Sequence, residues 1–180
     1  MGITQSTSNN KSNDKTKEII KQLEEWTEKR INNILFDSDK DDWNYGTSIF
    51  DERIINKEYI IIIIEDEEGN KFGGYVSEKI DKVSRIYDSK SFVFSLDSKG
   101  KIYEMKKFDI EDKRYAFKLY NQSNNYLFSF GYFCDIQVYK ENYKTISWCK
   151  QHSFEYKGIS NALCGKYYFT PKRILVIEMK

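Results

Sequence analysis

The stretch that most constrains this chain is Tyr59 to Ile64, a β-branched run with no polar face. It is followed by turn chemistry in Glu65 to Asn70 (EDEEGN) and a second strand-like run, Lys71 to Val76. The pair reads as a β-hairpin. Further short strands follow at Ser91 to Leu96, Lys101 to Met105, Tyr115 to Tyr120, Tyr126 to Phe130 and Cys134 to Tyr139, and Arg173 to Met179 closes the chain. In Ser91 to Leu96 the pattern alternates, with Phe92, Phe94 and Leu96 on one side and Ser91 and Ser95 on the other. Turns at Asp97 to Gly100 and Asn121 to Asn125 separate neighbours.

Strands spaced by turns, without alternating helices, predict an antiparallel sandwich rather than a parallel sheet. Tyr59 to Ile64 and Ile174 to Ile177 are apolar on both sides, so their outer faces need cover. Ile20, Leu23, Thr27, Ile31, Ile34 and Leu35 recur at helical spacing with Trp26 beside them, which predicts an amphipathic helix over residues 18–36. That helix, with a second near Ser77 to Ile86, can supply the cover. The helix could instead pair with a partner or with a second copy of the chain. Residues 1–17 lack apolar periodicity and read as a disordered polar tail. The expected class is α+β, mainly β: a two-sheet antiparallel β-sandwich over residues 37–180, flanked by a few helices.

Charge narrows the function. Lys and Arg number 29 and Asp and Glu 28, a net charge of +1, so neither a strongly basic nucleic-acid binder nor an acidic tail protein is expected. Lys and Tyr interleave at Tyr139 to Lys144 and Lys166 to Phe169, a pattern that can stack single strands. No basic tract accompanies it, and Tyr, Asn, Lys and Ile are abundant throughout, so nucleic acid is not an expected partner. Three Cys and no apolar leader favour reduced thiols in a cytoplasmic setting.

Several strings, taken in order, carry a resemblance. They are WNYGTSIFDE (Trp43 to Glu52), the apolar strand ending in IIED, KFGGYVS (Lys71 to Ser77), DSKSFVFSL (Asp88 to Leu96), FSFG (Phe128 to Gly131) and HSFEYKGIS…RILVIEM (His152 to Met179). Together they resemble the TLDc domain family over about residues 37–180. The matching positions are Gly46, Ser48, Phe72, Gly73, Tyr75, Ser91, Phe92, Phe94, Ser95, Gly131 and Glu178. The family's closing Glu-Val-Trp stands here as Glu178, Met179, Lys180, and its Gly-Gly pair as Gly131 and Tyr132. The resemblance implies a β-sandwich with flanking helices, a non-catalytic interaction domain, a link to oxidative-stress protection in eukaryotes, and binding to the vacuolar proton-pumping ATPase. Gly73 and Gly74 within a strand suggest a bulge or a close backbone approach.

Other residues bear on chemistry. Cys149 adjoins Lys150 and precedes His152 by three positions, and cationic neighbours lower a thiol pKa. Cys149, with Cys134 and Cys164, is therefore a redox candidate, against the plainer reading of small buried hydrophobes. The spacing of the three Cys and His152 matches no common zinc pattern, and no metal or cofactor is expected. Asp37, Asp39 and Asp41 open like a calcium loop, but Asp42 and Ser48 stand where Gly and Glu are required, so a solvated acidic loop is expected. His152 beside Ser153 lacks a G-x-S-x-G elbow, which argues against a hydrolase. Met1, Gly2 and Ser6 fit the N-myristoylation pattern. One myristoyl chain gives an association constant near ~10⁴ M⁻¹, so Gly2 acylation implies weak, reversible membrane contact.

Overall fold

The computed structural model describes residues 6–98 and 104–180, with only the backbone for residues 6–12. Two six-stranded sheets face each other, and every pairing is antiparallel. The first sheet runs β1 (Ile31–Asp37), β12 (Pro171–Met179), β2 (Ile60–Asp66), β3 (Lys71–Val76), β5 (Phe92–Asp97) and β6 (Lys106–Asp109). The second runs β11 (Tyr168–Phe169), β10 (Ser147–Cys149), β9 (Ile136–Tyr139), β8 (Tyr126–Phe130), β7 (Phe117–Leu119) and β4 (Arg85–Ile86). The mainly β sandwich expected from alternation and turns is the observed architecture.

The core between the sheets takes Ile60, Ile62, Ile64, Phe72 and Val93 from one side and Phe117, Phe128, Phe130, Ile136 and Val138 from the other. Two strand glycines allow close approaches, Gly73 to the next strand of its own sheet and Gly74 to the opposite sheet. A Cβ at Gly73 would lie 1.8 Å from the Ile62 carbonyl oxygen, and one at Gly74 2.5 Å from the Phe130 ring of the opposite sheet.

Helix α1 (Ser6–Thr27) plates the outer face of the first sheet. Leu23 is 1% exposed in a cluster with Ile61, Tyr75, Phe92, Phe94, Leu96, Ile177 and Met179. Trp26 packs on Phe92 and Phe94 with ring centres 6.2 and 6.0 Å apart. Both apolar-sided strands, β2 and β12, obtain the cover they need in this way.

The boundaries of this helix correct the expectation of a helix over 18–36 behind a disordered tail. The helix begins at Ser6 and ends at Thr27, and Ile31–Asp37 is an edge strand on β12. Glu28 adopts a left-handed φ of 55°. The Lys29 N–H then bonds the Glu24 carbonyl at 3.3 Å, the six-to-one closure of a Schellman end. The Glu24 carboxylate fixes the exit, accepting from the Ile31 N–H (3.2 Å) and from Arg30 (2.9 Å).

The expected helix near Ser77 to Ile86 is also absent. The buried Asp88 carboxylate takes the Ser77 N–H (2.6 Å) and hydroxyl (2.7 Å), while the Ile80 N–H bonds the Lys57 carbonyl (2.8 Å). These bonds pull the backbone away from an i−4 ladder. Of the strand expected at Lys101 to Met105, Lys101 to Tyr103 lie outside the described residues, Glu104 and Met105 are not strand, and β6 runs from Lys106 to Asp109. A five-residue α2 (Phe50–Ile54) sends Phe50 into the core against Phe36 and Phe128.

The DSDKDD segment is not simply solvated. Asp37 is 3% exposed and receives Nε and Nη2 of Arg173 at 2.9 and 2.8 Å. These bonds hold its carboxyl below the ordinary value. Asp39 shares the same guanidinium at 3.1 Å, and Asp41 accepts the Asp37 N–H at 2.8 Å. With these partners made, Asp37 and Asp39 clamp β12 through Arg173, and Asp41 braces the turn itself.

Candidate docking surface

Neither α-helix packs on the outer face of the second sheet, because α1 lies over the first sheet and α2 faces the core. One register row crosses all six strands of this face. Arg85 pairs with Lys118, Lys118 with Ser129, Ser129 with Gln137, Gln137 with Trp148, and Trp148 with Tyr168. A period of two puts the alternate row, Ile86, Phe117, Phe130, Ile136 and Cys149, into the core.

Beside the outer row runs a chain of rings. Tyr120 meets Tyr126 at 5.1 Å, Tyr126 meets Tyr139 at 4.6 Å, and Tyr139 meets Trp148 at 5.7 Å. All four are half-buried, while Tyr168 at the far edge is 59% exposed. The middle of the face is buried and satisfied internally, Ser129 being 2% and Gln137 1% exposed, so what the face offers outward is its rings and its two ends. Ser129 is hydrogen-bonded with Tyr120 and Cys134, and Gln137 Nε2 donates to the Phe128 carbonyl (3.1 Å). At the other end Lys118 sits 4.3 Å over the Tyr120 ring, and Arg85 sits 4.7 Å over Tyr115 and 5.8 Å over Tyr132.

Tyr132 and Phe133 form the exposed tip of the turn between β8 and β9, with rings 4.5 Å apart. Asp135, fully buried, anchors this tip. Its carboxylate accepts the His152 N–H (2.7 Å), the Ser153 N–H (2.8 Å) and the Tyr156 hydroxyl (2.9 Å). Burial nevertheless pushes its pKa up. Gly131 turns the chain at φ +81°, and a Cβ there would meet Asp135 Oδ1 at 2.0 Å.

At the opposite end of the sheet Lys140 is 1% exposed, and its ammonium donates to the carbonyls of Asn121 (2.7 Å), Gln122 (2.6 Å) and Asn124 (2.6 Å). Burial lowers its pKa. The same loop holds the start of the sandwich, with the Gly46 N–H on the Gln122 carbonyl at 3.1 Å.

The residues singled out from sequence do not converge on one centre. Cys149 is buried in the core and in hydrogen-bond contact with Cys164, and burial raises its thiol well above the ordinary value. Lys150 follows it in the chain and is exposed, so its charge does not activate that thiol as the spacing suggested. Cys134 sits near Ser129, Tyr120 and Lys118 on the outer face, so the three cysteines do not meet. Among the described residues no group of three or more His, Cys, Asp or Glu side chains is placed to hold a metal ion. Ser153 Oγ lies 3.5 Å from His152 Nδ1, but it accepts the Tyr132 N–H, and Asp135 binds the backbone at His152 rather than its ring. Gly2 lies outside the described residues.

Most family-motif positions belong to the frame. The Ser48 hydroxyl accepts the Phe50 N–H (3.2 Å), Phe72 packs edge-on against Phe169 (4.9 Å), and the Ser91 hydroxyl donates to the Tyr75 carbonyl (2.8 Å). Tyr75, Phe92 and Phe94 lie under α1, and Ser95 is buried between the sheets. Glu178 gathers Lys57 (3.2 Å), Asn32 (3.0 Å) and Asn33 (3.3 Å). Only Gly131 borders the bare face. Sequence reasoning passed over Asp135, Lys140, Tyr156 and the row through Trp148. The signal available for that row was the alternation of Lys118 and Tyr120 with Phe117 and Leu119.

Such an arrangement defines a mainly β domain of two antiparallel sheets, plated by a helix, among the described residues, on one side. The TLDc domain family model matches residues 5–176, and the chain belongs to that family. The match takes in α1 and β1 as well as the sandwich. Comparison with curated proteins returns no match. Among the described residues, no helix is long and apolar enough to cross a membrane.

Proposed function

We propose that this protein is a non-catalytic docking domain, and that the bare outer face of the second sheet is where it engages another protein. The observation that carries this reading is the asymmetry of cover. Apolar and aromatic side chains left without a helix on a sandwich face mark an interaction site. Family membership supports the reading, since TLDc domains are generally protein-interaction domains. By the same resemblance the domain acts in oxidative-stress protection, in the cytoplasm, with the vacuolar proton-pumping ATPase as its partner. Affinity capture from a eukaryotic lysate, with and without peroxide, tests it. Recovery of pump subunits is the expected result, and capture of no specific protein overturns it.

Two finer parts go with this reading. Acylation at Gly2 adds weak membrane contact, and a Gly2→Ala variant that fractionates like the wild type removes it. The apolar side of α1 rests on its own first sheet, which favours a single-chain unit over a dimer through that helix.

A thiol-redox role is the second reading, favoured by the contact between Cys149 and Cys164. Peroxide would take two electrons and two protons from the pair, giving one disulfide and two waters. Burial of both thiols opposes fast reaction. Equal peroxide consumption by the wild type and Cys149→Ser disposes of this reading.

A further inference from the structure

We propose that the outer face of the second sheet binds an extended acidic polypeptide segment with aromatic or apolar anchors, its carboxylates at the Arg85–Lys118 end and its anchors along the rings to Trp148 and Tyr168. This rests on the docking reading above and names the chemistry of its partner.

The argument starts from charge. The outward row and the ring chain beside it contain two cations and no carboxylate. Among the described residues neither Arg85 nor Lys118 makes an ion pair, nor does Lys150, which lies 5.8 Å over Phe133 at the hairpin tip. A nearby carboxylate is already engaged. Asp112, in the turn beside Tyr115, is taken by Arg114 at 3.0 Å. Stacked on tyrosine rings, the Arg85 guanidinium still offers its N–H edge, a geometry that suits a carboxylate. The aromatic end supplies ring surface in edge-to-face contact, with hydroxyl groups at the rim.

Size sets the occupant's length. Six strands at about 4.8 Å spacing span roughly 24 Å, the reach of about seven extended residues. Nucleic acid fits less well, because its non-specific affinity grows with each phosphate neutralised and this face offers only a few cations.

The test uses the full chain and a random copolymer of glutamate and tyrosine as the probe. Polyglutamate without aromatics and an oligouridylate serve as comparisons. The copolymer is expected to bind, to shift backbone amide resonances of β7 to β10, and to quench tryptophan fluorescence. Reversing two charges, Arg85→Glu with Lys118→Glu, is expected to weaken binding roughly tenfold, the sum of two lost pairs and the repulsion that replaces them. Tyr168→Ala provides a second, uncharged variant at the other end, and circular dichroism checks that both fold. Shifts confined to the first sheet, binding unchanged in both variants, or tighter binding of the oligouridylate each overturn the proposal. A lysate partner captured equally by wild type and the double variant also overturns it while leaving the docking reading standing. Failure of the wild type to capture any protein removes the docking reading itself.

Discussion

The two sheets have similar inner faces and different outer ones. On the first, Ile61, Phe92, Phe94, Leu96 and Ile177 lie under Leu23 and Trp26 of α1. On the second, Trp148, Tyr139, Tyr126 and Tyr120 lie under no helix among the described residues and pack on one another, with Lys118 over the Tyr120 ring. The residue types follow the cover. Beneath the helix the strands carry mostly aliphatic and phenylalanine side chains, which have no polar atom to satisfy. On the bare side they carry Tyr and Trp, whose hydroxyl and indole groups tolerate water at one end. A face left open by accident would expose the first kind of residue. The second kind is what a surface meant to be wetted, and then covered by a partner, requires.

The largest effect tests whether the bare sheet is weakly held. Asp135 anchors its hairpin, and Asp135→Ala leaves three donors without their acceptor. We expect a loss of about 4 kcal/mol, by analogy with breaking other buried charged networks. Chemical denaturation measures it. A loss below about 1 kcal/mol would mean that the hairpin is loose and the openness of this sheet is mere fraying.

Next comes the covered side. Leu23→Ala removes a side chain of α1 that is 1% exposed, and about 3 kcal/mol is expected for a large-to-small change at such a site. In a domain of this size that lowers Tm by roughly 6–12 °C. A shift under 2 °C would show α1 to be a detachable arm, and the first face as open as the second.

Two buried carboxylates, one in each half, give opposite pH signs. Asp37, held by Arg173, has a lowered pKa, so the stability it adds is present above the unfolded carboxyl value of 3.8 and is lost as pH falls through its folded pKa. Asp135 has a raised pKa from burial, so its contribution is full below 3.8 and is lost as pH rises through its folded pKa. Asp37→Asn should cost about 1–2 kcal/mol at neutral pH, because Arg173 is partly exposed and the pair is screened. It should also flatten the acid limb of the stability curve. An unchanged acid limb removes Asp37 from the account.

How much of this was legible follows from range. The β2–β3 hairpin, β8 and β12 show in period and turn chemistry, which are local. The helix end does not. Ile31, Ile34 and Leu35 continue the helical spacing past Thr27, and the left-handed turn falls on Glu28 rather than on a glycine. The acidic segment looked solvated because the partner of Asp37 is Arg173, 136 residues away. Cys149 looked activated because Lys150 is adjacent, although neighbours on a strand point to opposite faces. The bare face was hidden for a further reason. Tyr is abundant everywhere in this chain, and only register shows that Lys118, Trp148 and Tyr168 share one side.

The smallest expected effect is the most direct probe of the comparison. Tyr168 lies on a two-residue edge strand, is 59% exposed, and touches the Tyr167 ring at 4.7 Å. Truncating it to alanine removes ring surface that is already mostly in water, so stability should change by less than about 0.5 kcal/mol. Thermal melts of Tyr168→Ala and Leu23→Ala in one buffer then place the two faces side by side. A loss above about 1 kcal/mol in Tyr168→Ala would exceed the usual range for an exposed site and show that the rings of the second sheet hold the fold. A flat melt together with reduced binding of the glutamate–tyrosine copolymer would separate stability from recognition on this face. The covered side cannot separate them, because there the side chains that would bind already pack against α1.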